Sequence, residues 1–278
     1  MTETTKTHES SAARQAAMWG ERARDWAEVM EGPHGWGIPV YERILERVPV
    51  DESTRLLDVG CGAGRFCRTA RDRGATVAGL DATSEFIEIA RERTPEGEFE
   101  VGEMEDLPWP DHSFDVVTGF HSFFLAEDMV GALREARRVA RPGGTLALTI
   151  WGRPDRCDST GLFASMRRLV EGDAAAPDDS EPKAPRPRAL HEEDVILGTA
   201  RQAGLQPTEL AFFQYVEEYP DVETMARGML AAPPGRAASR ASSPNAVRAA
   251  LAEAAQPRVT DTGTVRLREE LRYLIATT

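Results

Sequence analysis

The sequence predicts an α/β fold, an open and largely parallel sheet with helices on both faces and a helical cover. Three observations carry this. Short apolar runs alternate with stretches of helical period between residues 55 and 151, the pattern of βαβ units. The first run, Leu56-Leu57-Asp58-Val59, ends in Gly60-Cys61-Gly62-Ala63-Gly64, and glycines there let the backbone approach a ligand closely. Arg141-Pro142-Gly143-Gly144 stops the last helix of the series before a fifth apolar run.

The elements follow in order. Residues 1–12 are polar and read as a disordered tail. Residues 13–48 carry Trp19, Trp26, Ile38, Tyr41, Ile44 and Leu45 at helical spacing, and the glycines and proline of 32–37 divide them into two helices. Strands are expected at Arg55–Val59, Thr76–Leu80, Phe99–Gly102, Phe114–Phe120 and Thr145–Trp151. Helices are expected at Arg65–Arg73, Ser84–Arg93 and Asp128–Ala140. Glu171–Arg188 is rich in proline and charge, and such composition does not bury a core. Regularity returns with a helix over Glu192–Ala203 and a strand over Glu209–Tyr219. A helix follows at Asn245–Ala255, and the alternating Thr264–Ala276 reads as a strand at a sheet edge. The expected organisation is a helical cover over 13–48, a ligand-binding core over 49–152 and a mobile insertion or lid over 153–190. The C-terminal part of the same sheet then spans 191–278, with a helical insertion over 221–260.

Composition narrows the function. The chain has 278 residues, 41% of them hydrophobic and 28% charged, as in a globular protein with an ample core. A net charge of −13 disfavours phosphate neutralisation, so no nucleic-acid partner is expected. No run of about 18 apolar residues exists to span a membrane, and Met1–Ser11 lacks the apolar stretch of a signal peptide. Three cysteines, with no His/Cys cluster at zinc-ligand spacing, fit a reducing cytoplasm and give no metal site. Oligomeric state is not readable.

The glycine spacing also bears on the ligand. The dinucleotide fingerprint is G-x-G-x-x-G, and here its last position is Arg65. A ligand without a pyrophosphate is favoured. With Asp58 before the turn and Asp81 after it, the segment resembles the first two motifs of class I S-adenosylmethionine-dependent methyltransferases. Gly102-Glu103-Met104-Glu105-Asp106-Leu107-Pro108 resembles their third motif, with Glu103 where aspartate is common. Asp111–Val117 resembles the lead into the fourth strand, and Leu133–Thr149 the helix, turn and fifth strand after it. The resemblance is specific over about residues 50–152 and weaker over 13–48, where Trp19–Trp26 looks like the N-terminal helix of small-molecule members.

The resemblance implies a Rossmann-like seven-stranded methyltransferase sheet with its last strand reversed. It implies S-adenosyl-L-methionine as cofactor and S-adenosyl-L-homocysteine as product. Asp81 would hold the ribose hydroxyls, a role that suits a carboxylate because it accepts two hydrogen bonds from a diol. Glu103 and Met104 would meet the adenine, with Glu105 a substitute for Glu103. Asp58, Gly60, Cys61, Gly62, Gly64, Ala82, Phe120 and Trp26 complete the expected cofactor contacts. The methionine carboxylate is expected at the start of the helix after the loop, with Arg65 near it.

Methyl transfer needs a base only when the nucleophile must lose a proton. His121, just after the fourth strand, is the candidate catalytic residue, as base or acceptor-orienting group; the alternative is a structural histidine. His34 on a possible lid, Tyr41 at the pocket and Cys157 are weaker candidates, and His112 belongs to a turn. Phe123, Phe124, Phe212, Phe213 and Tyr215 form a candidate acceptor wall, about half of which alternation must send to the core. The reading is a cytoplasmic enzyme of small-molecule biosynthesis, of the kind found in bacterial secondary metabolism, that methylates a hydroxyl or amine. The alternatives are a fold relative that binds the cofactor but catalyses a non-methylating step such as cyclisation, and a non-enzymatic binding module.

Overall fold

A computed structural model describes residues 11–33, 35–171, 190 and 192–278. The described residues form one seven-stranded sheet from β1 (Arg55–Val59), β2 (Thr76–Asp81), β3 (Glu98–Val101), β4 (Phe114–Phe120), β5 (Ala140–Trp151), β6 (Gln206–Tyr219) and β7 (Val265–Thr277). The spatial order is β3-β2-β1-β4-β5-β7-β6. β1 to β5 run parallel, and β7 lies antiparallel to both β5 and β6. The strand order reverses at β1, between β2 and β4, and such a reversal opens a crevice at the carboxyl ends of the strands.

Alternation along the strands sorts the two faces. Leu57, Val59, Val117, Leu146 and Leu148 pack on α6 (Met129–Val139) and α8 (Glu193–Gln202) through Leu133, Ala136, Ile196 and Ala200. Their neighbours Leu56, Val116, Ala147 and Leu271 pack on α3 (Gly37–Arg47) and α4 (Arg65–Arg71) through Ile44, Leu45, Phe66 and Ala70. α5 (Ser84–Arg93) adds Ile87 and Ala90 to that second core. A separate apolar cluster lies beyond the strand ends. It joins α2 (Ala23–Val29) and α7 (Ser159–Glu171) to α9 (Val222–Ala231), α10 (Pro233–Ala241) and α11 (Pro244–Ala255) around Tyr219, Val265 and Leu267. This is the helical cover.

Several expectations are corrected. The last strand is reversed as expected, yet it is interior, and β6 forms the edge. The alternation that suggested an edge is confined to its first half. Val265 to Arg268 alternate buried and exposed beneath the helices, whereas Glu269–Ala276 are buried throughout. β5 starts at Ala140, because Pro142-Gly143-Gly144 loop out as an irregularity within the strand instead of preceding it. The N-terminal cover holds three α-helices, α1 (Ser11–Trp19), α2 and α3, with a 3-10 turn at Gly20–Arg22. Within the expected mobile insertion, Ser159–Glu171 is a regular helix with Leu162 and Met166 fully buried. Residues 172–189, like residues 1–10 of the expected tail, His34 and His191, lie outside the described residues.

Candidate active site

The crevice at the carboxyl ends of β1, β2 and β4 opens into a cavity of about 460 Å³ roofed by the helical cover. Asp58, Gly60, Cys61, Gly62, Asp81, Ala82, Glu103, Met104, Phe120, His121 and Trp26 all lie on its wall. The two glycines turn the chain at φ of 73° and 54°, a region L-residues seldom adopt. A Cβ on Gly60 would strike Ser122, and one on Gly62 would strike the Glu31 carboxylate. Gly60 and Gly62 both line the cavity, and neither position has room for a side chain.

Asp81 ends β2 and is fixed by the loop itself. Its Oδ2 accepts from the Gly62 amide at 2.9 Å and its Oδ1 from the Thr83 amide at 2.9 Å. Burial pushes its carboxyl above the ordinary value against those two hydrogen bonds. Asp58, fully buried, accepts from Thr118 Oγ1 at 2.7 Å. Desolvation, with Glu31 and Asp81 nearby, lifts Asp58 to about 7.

Three expected contacts are placed elsewhere. Gly64 is not on the wall; it caps α4, where a Cβ would come within 2.8 Å of the Ala90 Cβ, so it serves helix packing. Glu105 is also off the wall; it accepts from Ser11 Oγ at 3.2 Å and from the Glu127 amide at 2.8 Å. The start of α4 is taken by Glu31, whose Oε1 accepts from the Ala63 amide at 2.9 Å and whose Oε2 pairs with Arg93 at 2.6 Å. Glu31 is thus a wall residue that the sequence did not reveal. Arg65 is absent from the wall.

His121 sits at the mouth of β4 with an unusual backbone, φ 52°. Its amide and its Nδ1 both engage Thr149 Oγ1, at 3.1 Å and 3.0 Å. Trp36 and Trp151 pack edge-on against the ring, with centroids at 4.8 Å and 4.4 Å. Desolvation lowers its pKa to about 3, so at neutral pH the imidazole is uncharged and a poor proton acceptor. The indole Nε1 of Trp36 is buried and unpartnered on this wall.

Of the five aromatic residues proposed as an acceptor wall, Phe124 and Tyr215 reach the cavity. Phe123 is core, Phe212 lies under Arg153 and Arg272, and Phe213 stacks on Tyr215 beneath Arg43. Tyr41 reaches the wall from α3. Cys157 donates weakly to the Arg153 and Glu270 carbonyls, and burial lifts its thiol to about 11. His112 holds the turn before β4, bonded to the Ala140 carbonyl at 3.1 Å.

Five further lining residues were not named as candidates, although Ser159 and Phe163 fall in the expected lid over 153–190. They are Trp151, Ser159, Phe163, Glu217 and Glu269. The signal for Glu269 lay in β7, where it interrupts the apolar phase Val265, Leu267, Leu271 and Tyr273. Among the described residues of the wall, every acidic or basic side chain apart from His121 is acidic: Glu31, Asp58, Asp81, Glu103, Glu217 and Glu269, with no lysine or arginine. Such a lining suits a cation and repels a pyrophosphate. Taken with the glycine turn and the Asp81 carboxylate on the same wall, the lining fits a sulfonium-bearing nucleoside.

Residues 57–148 match the profile of a family described as a methyltransferase domain. Similar proteins include a malonyl-acyl-carrier-protein O-methyltransferase of Serratia marcescens, 36% identical over 107 residues, which are 38% of this chain and 42% of that one. A 27-O-demethylrifamycin SV methyltransferase of Amycolatopsis mediterranei is 32% identical over 140 residues, 47% of this chain and 52% of that one. The chain spans about half the length of the curated relatives it matches. Among solved structures, the (4+2) cyclase SpnF superposes with a TM-score of 0.60 at 19% identity, covering 97% of this chain and 96% of that one. That likeness bears on the fold alone. Among the described residues no helix is long and apolar enough to cross a membrane.

Proposed function

We propose, from the match of residues 57–148 to a methyltransferase-domain family, that the chain is a class I S-adenosylmethionine-dependent methyltransferase and transfers a methyl group from S-adenosylmethionine to a hydroxyl or amine of a small molecule. The observation that carries the reading is the acidic wall, without lysine or arginine among the described residues, around the Gly60–Gly62 turn. Bound S-adenosylmethionine supplies a methyl group on a positively charged sulfur, ready for in-line displacement. Asp81 accepts the ribose hydroxyls, and the Glu103–Met104 segment meets the adenine. Neutral His121, held by Thr149, orients the acceptor and carries no proton away. Trp36 and Trp151 keep water from the reacting atoms. Alignment of this kind supplies roughly 7–11 kcal/mol in favourable cases, so the reaction does not require a strong base.

The relatives named as a malonyl-acyl-carrier-protein O-methyltransferase and a 27-O-demethylrifamycin SV methyltransferase support an acceptor of small-molecule kind. The cyclase of similar fold keeps a non-methylating reading as the alternative. Calorimetric titration tests the cofactor. S-adenosylmethionine should bind saturably with a constant between about 1 µM and 1 mM, and NADH should not bind. NADH binding in its place would overturn the reading. Release of S-adenosylhomocysteine during turnover separates methyl transfer from cyclisation.

A further inference from the structure

Glu217 and Glu269 project from β6 and β7 onto one face of the sheet. Tyr215 pairs with Glu269 across the ladder, and Glu217 pairs with Leu267, so the two carboxylates are diagonal neighbours. Both are more than nine-tenths buried, and both line the cavity. Neither has a basic partner among the described residues. The groups facing them are Tyr215 and Tyr219 from β6, and Cys157, Asp158 and Ser159 from the start of α7. The nearby arginines are engaged elsewhere. Arg258 and Arg268 hold Asp158 at 2.7 Å and 3.4 Å, and Arg153 holds Glu270 at 2.6 Å.

The two carboxylates differ in what occupies them. Glu269 accepts from the Ser159 amide and hydroxyl, each at 2.8 Å, so capping of α7 accounts for it. Glu217 has a single partner, Tyr219 Oη at 3.1 Å on its Oε2. Its Oε1 has no hydrogen-bond partner among the described residues, and it is not among the sealed, unpartnered atoms. An oxygen of a nearly buried carboxylate is thus left open toward a cavity. Burial, with Glu269 nearby, raises Glu217 to about 8, and burial raises Glu269 to about 7. Removing carboxylates from water without a counter-charge is costly, and the free protein meets that cost by holding protons. Trp151, 43% exposed and facing Phe163 at 6.1 Å, offers aromatic faces beside the pair, and aromatic faces attract cations.

We propose that the acceptor is a small molecule carrying a basic nitrogen, which seats at Glu217 and Glu269 on the part of the cavity wall formed by β6 and β7. This rests on the methyl-transfer reading for the word acceptor, but the site itself does not. The nitrogen supplies the positive charge that the wall lacks. An acidic acceptor brings no positive charge and keeps the carboxyls protonated, and a neutral alcohol gains no charge pairing.

The test is calorimetry on the full chain saturated with S-adenosylhomocysteine, using three matched probes: phenethylamine, 2-phenylethanol and phenylacetate. The amine should bind about tenfold or more tighter than the alcohol, and the acid should not bind. Amine binding should also release protons, seen as a heat that depends on the ionisation enthalpy of the buffer. In Glu217→Gln the amine preference and the proton release should vanish, while affinity for S-adenosylhomocysteine stays within about twofold, which also reports an intact fold. Equal binding of all three probes, tightest binding by the acid, an unchanged preference in Glu217→Gln, or no binding by any probe overturns the proposal. Failure of S-adenosylhomocysteine to bind would instead count against the methyltransferase reading. Amine preference is then measured on the chain alone.

Discussion

Gly62 and Asp81 meet at one hydrogen bond, and each tests a different part of the cofactor cradle. At Gly62 the backbone needs φ 54°, and any Cβ falls on Glu31. Valine there combines a disfavoured conformation with a clash. Gly62→Val should abolish measurable S-adenosylmethionine binding; unchanged affinity by calorimetry would mean that the loop does not approach the ligand. In the proposed binding mode Asp81→Ala removes an acceptor for two ribose hydroxyls, and each hydrogen bond to a charged group contributes about 1.5–3 kcal/mol. Cofactor affinity should fall by at least about tenfold. A His121→Ala change should weaken the cofactor less, because His121 bonds to Thr149 and packs between Trp36 and Trp151. The reverse order of effects would move the ribose contact away from Asp81.

α7 shows how a single inward charge organises an element. Its first residue, Ser159, gives its amide and hydroxyl to Glu269 on β7. That contact satisfies a donor at the exposed end of the helix, as a capping side chain does. Glu269→Ala should therefore lower stability by about 0.5–2 kcal/mol, read as a shift in the denaturation midpoint, and should loosen the segment around Phe163. Protection of the α7 amides equal to wild type in hydrogen exchange would refute this. The same helix marks where the sequence was legible and where it was not. β1, β2, β4 and the second half of β5 were readable because strands buried on both faces are nearly continuous in apolar residues, as in Leu56-Leu57 and Leu146–Ile150. The glycine turn and Asp81 were readable because backbone geometry and chain order fix them locally. α7 was hidden by its neighbour, the proline-rich stretch from Glu171. The interior place of β7 was hidden because Val265 to Arg268 alternate like an edge. Glu31 and Glu217 reach the cavity only through packing between residues distant in the chain, which no local pattern encodes.

Over the whole molecule, carboxylates are collected around one cavity and held partly protonated. Asp58 is raised to about 7, Glu269 to about 7 and Glu217 to about 8, chiefly by burial. Their ordinary values are 3.8 for Asp58 and 4.5 for the glutamates. Between those limits the folded chain binds more protons than the unfolded chain. The resulting stability is fully present at low pH and is lost as pH rises through about 7 to 8. The free protein should therefore melt at lower temperature at about pH 8 than at about pH 6, unlike a protein stabilised by ionised carboxylates. The cofactor pair gives the complementary result. S-adenosylmethionine carries a sulfonium charge that S-adenosylhomocysteine lacks, and the two are otherwise alike in the groups they present. A cation binds best to the ionised wall, so its binding expels protons and strengthens as pH rises. The ratio of S-adenosylmethionine to S-adenosylhomocysteine affinity should grow between about pH 6 and pH 8, and the growth should be smaller in Asp58→Asn, provided that variant still binds S-adenosylhomocysteine. A ratio constant across that range would mean that the carboxylates are already ionised, or that the sulfur lies too far from them to sense their charge.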